Sequence, residues 1–389
     1  MRLAVHTDDP YVRQGASIAA VMPFALFVGG IGEHVDRLIL LGRVAPDEAV
    51  AGPAVALPAG VEMVALPWWE DLSRPLDIAR ALPGSLRAFW RVLDEVDSVL
   101  LFGPSPLGLA FAVLARLRRR RVAIGVRMDY VRYITSRRPG RRDLALIARG
   151  LDAAWRRLGR RAPAVVVGSA LAERYASAQR VLDVTVSLVR EEAVAAGGRP
   201  FPAAGEPIHL LTVGRVDAEK NPLLLADVVA GLAQDGRDWR LTVCGDGPLL
   251  GDLGARAKEL GIADRIDLRG FVGPADGLGD LYRGADMFLH VSWTEGVPQV
   301  LVEAWAGGTP VVATDVGGVR EASGDAAVLI PPGDRDAACV ALSRVAADAA
   351  LRERLVDAGL ARARELTLER QSARVADFLA ERTPAAMEA

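Results

Sequence analysis

Short aliphatic runs alternate with longer amphipathic stretches along this chain, and the alternation happens twice. Nothing else in the sequence narrows the fold as much. Buried Val, Ile and Leu runs separated by helical periods are the pattern of βαβ units, whose parallel strands are covered on both faces. In the first half the runs are LAVHT (3–7), RLILLG (37–42), VEMVAL (61–66), SVLLF (98–102), VAIGV (122–126) and AVVVGS (164–169). Helical periods fall between most of them, as in SLRAFWRVLDEV (85–96). The second half repeats the scheme with IHLLTVG (208–214), WRLTVCG (239–245), RIDLRG (265–270), DMFLHV (286–291), PVVAT (310–314) and AVLI (327–330). Between the halves lies AAGGRPFPAAGEP (195–207), rich in Gly, Pro and Ala and without period, which reads as a linker. The expected fold is therefore α/β, with two Rossmann-like, doubly wound parallel-sheet domains facing a central cleft. Their expected bounds are 1–197 and 207–365, joined by 198–206, with a helical segment 366–389 crossing back to the first domain.

Composition serves mainly to exclude. The chain has 389 residues, half of them hydrophobic and a quarter charged, which suits two globular cores. A net charge of −2 gives no global field for nucleic acid. Cys244 and Cys339 make neither a disulfide framework nor a zinc cluster, and His6, His34, His209 and His290 lie too far apart in sequence for a metal-ligand spacing. No metal or other cofactor is expected. The first residues lack the apolar core of a secretion signal, so a cytoplasmic setting is expected. The longest apolar run, ASIAAVMPFALFVGGIG (16–32), reads as a buried helix and a turn. It is short of the roughly 20 residues that span a bilayer, and Pro23 and Gly29–Gly30 interrupt it.

Open parallel sheets bind ligands beyond the carboxyl ends of their strands. Several chemically informative residues follow strands here. In TVGRVDAEKNP (212–222), Arg215 and Lys220 place two cations at such an edge, a planar fork and a compact charge that both suit phosphate oxygens. Lys220 is one of only two lysines, so an arginine-rich coding bias does not explain it. The alternative is a solvated loop in which Asp217 and Glu219 are the partners. In CGDGPLLG (244–251), Gly245 and Gly247 resemble the start of a dinucleotide fingerprint or, equally, a turn that needs glycine. In HVSWTEGVPQVLVE (290–303), Glu295 precedes a glycine and a Pro298 suited to a first helical turn. A helix starting there aims free N–H groups at an anion. Glu303 lies further along it, and two carboxylates suit the hydroxyls of a sugar and a ribose with a diphosphate between them.

EGVPQVLVE resembles the E-x7-E motif of the retaining GT-B glycosyltransferases, family 4, also called group 1. The resemblance runs through the second half from VGRVDAEKNP by way of CGDGP, LRGFVG, LYRGADMFLHVSWTEG and EAWAGGTPVVATDVGGVRE to VLIPPGD. It implies transfer of a hexose-type sugar from a nucleoside diphosphate sugar to a hydroxyl acceptor, with retention and without a metal. Arg215 and Lys220 would hold the diphosphate and Glu295 the donor hexose, these three forming the catalytic group. Glu303 would hold the ribose. The segment Gly296, Val297, Pro298, Gln299 and Val300 would touch sugar and phosphate, with Gly247 and Val272 also on the donor. In the first half, Gly15 is the candidate for close approach to the donor phosphates. Arg127 and Asp129, in VRMDY, occupy the neighbourhood where many members carry a histidine. Phosphate or hydroxyl contacts, or plain ion pairing, are both open to them. His290 stands where a proline is more usual and reads as structural.

Three features stay outside that scheme. GDRD (333–336) contains a D-x-D, but its place before AACVALSRV makes Asp334 a helix cap. PWWED (67–71) offers aromatic faces to an acceptor or packs into the core. Residues 112–162 hold sixteen arginines against Asp129, Asp143 and Asp152, a formal +13, which suits peripheral contact with an anionic membrane or a merely solvated, bias-enriched face. Two rival functions remain. One is a nucleotide-sugar-binding protein without turnover, and the other is a dinucleotide-dependent oxidoreductase built on CGDGPLLG.

Overall fold

The computed structural model describes residues 1–15, 17–46, 54–70, 75–137, 140–296 and 298–381. The chain divides into two compact units, Met1–Val186 together with residues from Leu368 onward, and Ser187–Thr367.

In the first unit the strands are β1 (Arg2–Gln14), β2 (Ser17–Ala20), β3 (Arg37–Ala45), β4 (Val55–Ala56), β5 (Val61–Leu66), β6 (Ser98–Gly103), β7 (Arg121–Val126), β8 (Ala164–Val167) and β9 (Val181–Val184). Their parallel order is β5-β3-β1-β6-β7-β8-β9. The aliphatic runs pair as read, and alternate residues reach opposite faces. Ala4, Ile39, Leu41, Val99, Leu101 and Ile124 join one core with Phe89 and Phe111, whose rings stack at 4.0 Å.

Two local readings change. The run 16–32 does not open as a helix: Ser17–Ala20 is a strand, antiparallel to the far end of β1, and the helix occupies only Phe24–Gly32. Pro23, with no N–H to give, marks the switch. The polar stretch after LAVHT also stays extended to Gln14, because the Tyr11 hydroxyl, fully buried, is hydrogen-bonded to Thr7 Oγ1 at 2.8 Å and the backbone pairs with β2 and β3.

The second unit holds β10 (Ile208–Val213), β11 (Trp239–Cys244), β12 (Ile266–Gly270), β13 (Met287–His290), β14 (Val311–Thr314) and β15 (Ala327–Ile330), all parallel, in the order β12-β11-β10-β13-β14-β15. Neighbouring residues serve opposite faces. Leu210, Leu289 and Val312 pack with helices Leu223–Leu232 and Arg335–Ala347, while Leu211, Phe288 and Val311 pack with helix Gln299–Ala306. Each fully buried Leu or Phe is worth about 2–3 kcal/mol, so these strands need no polar face.

The passage between units comes at Val186–Ser187, ahead of the expected 197–198. The stretch expected as linker, 198–206, is part of the second unit. Phe201 packs on its core and Arg199 pairs with buried Asp286 at 3.2 Å. Helix Leu368–Ala380 belongs to the first unit, where the Gly30 backbone lies against the Leu368 side chain and the Thr185 N–H donates to Gln371 Oε1 at 3.2 Å. Residues 382–389 lie outside the described ones.

Candidate active site

In the second sheet, β10 and β13 are neighbours from which the chain winds outward in opposite directions. A crevice opens at such a switch point because the two loops leave to opposite sides. The loop after β10 is folded by its own sequence. Asp217 accepts from the N–H groups of Glu219 and Lys220 at 3.1 and 3.3 Å, and Asn221 ends the turn in the left-handed region at φ 52°. The Trp293 N–H donates to Glu219 O at 2.8 Å and ties this loop to the one after β13. Lys220 Nζ is thereby held 2.5 Å from Glu295 Oε1.

A second partner reaches the same oxygen. His290 Nε2, at the end of β13, is 2.9 Å from Glu295 Oε1 and 3.1 Å from Ser292 Oγ. The side chain of Glu295 is only 9% exposed. Burial alone would push its pKa up. The hydrogen bond with His290 and the charge of Lys220 outweigh that and bring it down to about 2. A carboxyl depressed on folding stabilises the native state above its unfolded pKa, near 4.5, and that contribution is lost as pH falls toward about 2. The contribution is about 3 kcal/mol. Acid unfolding between pH 5 and 2 should therefore be shallower in Glu295→Gln than in the parent, and identical acid curves would contradict the pairing.

Lys220, Glu295, His290, Arg215, Pro298, Gln299 and Val300 line one cavity of about 210 Å³. Helix Gln299–Ala306 starts at its edge, and no side chain caps it. The Leu301 N–H bonds back to Pro298 O at 3.2 Å, and the positive dipole end, with Gln299 and Val300 on the cavity lining, favours an anion. Gly296 has open space where a Cβ would stand. Val297 lies outside the described residues. Arg215 is held on its own loop, 2.5 Å from Asp217 and 3.0 Å from Glu219, so the solvated-loop partners read from the sequence are the ones it has here.

Other expected residues are elsewhere. Glu303 does not line this cavity. Its Oε2 accepts from the Tyr282 hydroxyl at 2.7 Å, and burial raises its pKa against that bond. Val272 packs on the core under the same helix. Gly245 and Gly247 serve loop packing, since added Cβ atoms would stand 1.7 Å from Gly214 O and 2.4 Å from Val216 O. That need accounts for the glycines of CGDGPLLG without a dinucleotide. Gly15, Arg127 and Asp129 are in the first unit. Gly15 has φ 62° and free space around it. Arg127 donates to Asp9 Oδ1 at 2.7 Å and lies over the Phe24 ring, while Asp129 accepts from the Arg132 N–H and pairs with Arg174 at 3.2 Å. Both have the ion-pair duty left open above. The rings of Trp68 and Trp69 lie 5.3 and 3.9 Å from the Arg43 guanidinium. Asp334 caps helix Arg335–Ala347 by accepting from the Ala337 N–H at 2.9 Å.

Sequence reasoning missed three contributors. His290, read as structural, touches the key carboxylate. Tyr282 holds Glu303. Gly317 lies with φ 53° against the backbone of Glu295, its Cβ position 1.9 Å from Glu295 O, while the Gly318 N–H donates to Gly296 O at 2.9 Å. The Gly-Gly after β14 was the available signal, since a pair of glycines at a strand end marks close backbone approach.

Residues 207–348 match the family model of the glycosyl transferases group 1. The 2-deoxystreptamine glucosyltransferase of Streptomyces kanamyceticus is 36% identical over 163 residues, covering 40% of this chain and 42% of that protein. The chain thus matches less than half the length of this curated relative. Among solved structures, the sucrose-phosphate synthase of Thermosynechococcus elongatus superposes with a TM-score of 0.68 at 18% identity, over 97% of this chain and 98% of the other. Anabaena Alr3699/HepE, solved in complex with UDP, does so with a TM-score of 0.64 at 16% identity, over 97% and 99%. The chain therefore has the GT-B fold of two Rossmann-like domains, and the bulk of its second domain is similar to the group 1 glycosyl transferases.

Proposed function

We propose that this protein transfers a hexose-type sugar from a nucleoside diphosphate sugar to a hydroxyl acceptor, with retention and without a metal ion. The observation that carries the reading is the Lys220–Glu295 pair at the mouth of an uncapped helix, at the switch point of the second sheet. The similarity to a glucosyltransferase and the UDP held by a protein of the same fold support the donor class.

The costly step is cleavage of the anomeric C–O bond, in which negative charge grows on the departing diphosphate. The helix-end N–H groups and the Lys220 ammonium face that charge, and fixed donors of this kind lower the barrier without reorganising. Arg215 joins them when the phosphate oxygens displace Asp217 and Glu219. Glu295, kept ionised by Lys220 and His290, accepts hydrogen bonds from the sugar hydroxyls. Glu303 takes the ribose hydroxyls once Tyr282 shares it. These cations fill the role a metal would take, so a chelator should leave transfer unchanged.

A thermal-shift panel of nucleotide sugars tests the donor. One present at a hundred times its dissociation constant should stabilise the protein by about 2.7 kcal/mol. Glu295→Ala should nearly abolish transfer, while Glu303→Ala should mainly weaken donor binding. Near-normal transfer by the Glu295 variant would defeat the assignment. Donor binding with neither transfer nor slow donor hydrolysis would favour a protein that only binds the nucleotide sugar.

A further inference from the structure

The first unit carries a surface that the proposed reaction does not use. Helices Pro106–Leu117 and Arg142–Gly159 border a groove of about 360 Å³. Leu109 and Leu158 are in its aliphatic floor, and Arg116, Arg157, Arg160 and Arg161 are on its exposed rim. Arg116 donates only to the Arg161 carbonyl, at 3.4 Å, and among the described residues none of the four makes an ion pair. The acids of 112–162 are committed elsewhere: Asp129 to Arg174, Asp143 to Arg141, and Asp152 to Arg156 and Arg174. No acid of that stretch therefore neutralises the four groove arginines, whereas Arg118 and Arg127, elsewhere in it, pair with Asp94 and Asp9.

Beside the charge stand exposed aliphatic side chains. Val113, on the groove's lining, and Leu117, one turn further along the same helix, are 59% and 68% exposed. A coding bias accounts for many arginines, but it accounts neither for the missing acids nor for bare Val and Leu beside them. A solvated face would carry polar residues there. Single-stranded nucleic acid would be gripped with aromatic platforms, yet Trp155 of the second helix is fully buried.

We propose that this groove docks on the surface of an anionic phospholipid bilayer. The guanidinium groups would take headgroup phosphates as forked, charge-assisted pairs, and Val113 and Leu117 would enter the boundary between headgroups and acyl chains.

The test sediments the full-length protein with vesicles of phosphatidylcholine alone and with vesicles containing about 30% phosphatidylglycerol, an anionic content that sets a clear negative surface potential. Sedimentation is expected with the anionic vesicles only, and salt should weaken it. Each basic side chain near such a surface is worth roughly fivefold in partitioning, so Arg157→Glu, Arg160→Glu and Arg161→Glu combined should lower it on the order of a hundredfold or more. Val113→Ser with Leu117→Ser leaves every charge in place and should lower it about tenfold. The second variant decides the matter if the first does not fold. Equal sedimentation with both vesicle types, none with either, or no loss in the serine variant would overturn the proposal. So would tighter binding to a duplex oligonucleotide than to the anionic vesicles at the same salt.

Discussion

Lys220→Met is expected to lower sugar transfer by about 10²- to 10³-fold, the usual cost of removing one fixed donor from a developing negative charge. The change should fall on kcat more than on KM, because the ammonium interacts with the diphosphate most strongly as the bond breaks. It should also destabilise the second unit. Glu295 is nearly buried and would keep only His290 as a partner for its Oε1. Breaking a buried pair from one side costs 3–5 kcal/mol, but Lys220 is 26% exposed, so about 2 kcal/mol is the fitting figure here. Faster hydrogen exchange in β10 and β13 would report that loss. Combining the variant with Glu295→Gln should add little further instability, since neutralising the second partner removes the reason for the first. Transfer near the parent rate would show that the ammonium does not face the leaving group.

Gly317→Ala is expected to be as damaging, although Gly317 touches no ligand in the proposed scheme. Its backbone is left-handed, and the new Cβ would meet Glu295 O at 1.9 Å, an atom of the main chain that cannot rotate aside. Strain and clash together should cost about 3 kcal/mol and move the Glu295 loop, with transfer falling at least a hundredfold for a carboxylate displaced by about 1 Å. Gly296→Ala is the control one bond away from the same loop. Open space surrounds its Cβ position, so stability should stay within about 0.5 kcal/mol of the parent. If the donor approaches this backbone as proposed, its affinity should still drop. Two folded, equally stable proteins with equal donor affinity would remove Gly296 from the site, and a stable, active Gly317→Ala would remove the packing argument.

The contrast between these glycines shows what the sequence could and could not convey. The doubly wound sheets were legible because strands buried on both faces must be aliphatic throughout, as in β10, β13 and β14, and because their loops return to polar and glycine residues. The Arg215, Lys220 and Glu295 positions were legible as charges following such strands. What the charges do to one another was not. Asp217 and Glu219 were legible as loop partners and Arg215 took them, but Lys220 crossed to a loop 75 residues away, where the Trp293 N–H tie to Glu219 holds the two loops together. His290 and Tyr282 act through contacts set by tertiary packing, with no local pattern to announce them. The short hairpin of β2 was hidden because Ser17–Ala20 has no polar–apolar alternation and a single branched residue, Ile18, and its strand character comes from pairing with β1.

The helix from Leu368 to Ala380 has a consequence for how the protein is made. It fills a place in the unit that begins at Met1, although the whole of the second unit is synthesised between. Val375 and Leu379 are buried there, and Gln371 satisfies a backbone N–H of Thr185. On the ribosome the first unit must wait, with that seat bare, until the codons for Leu368–Ala380 are read, whereas the intervening unit has every piece it needs sooner. The order of translation and the order in which the halves reach their native packing are thereby reversed.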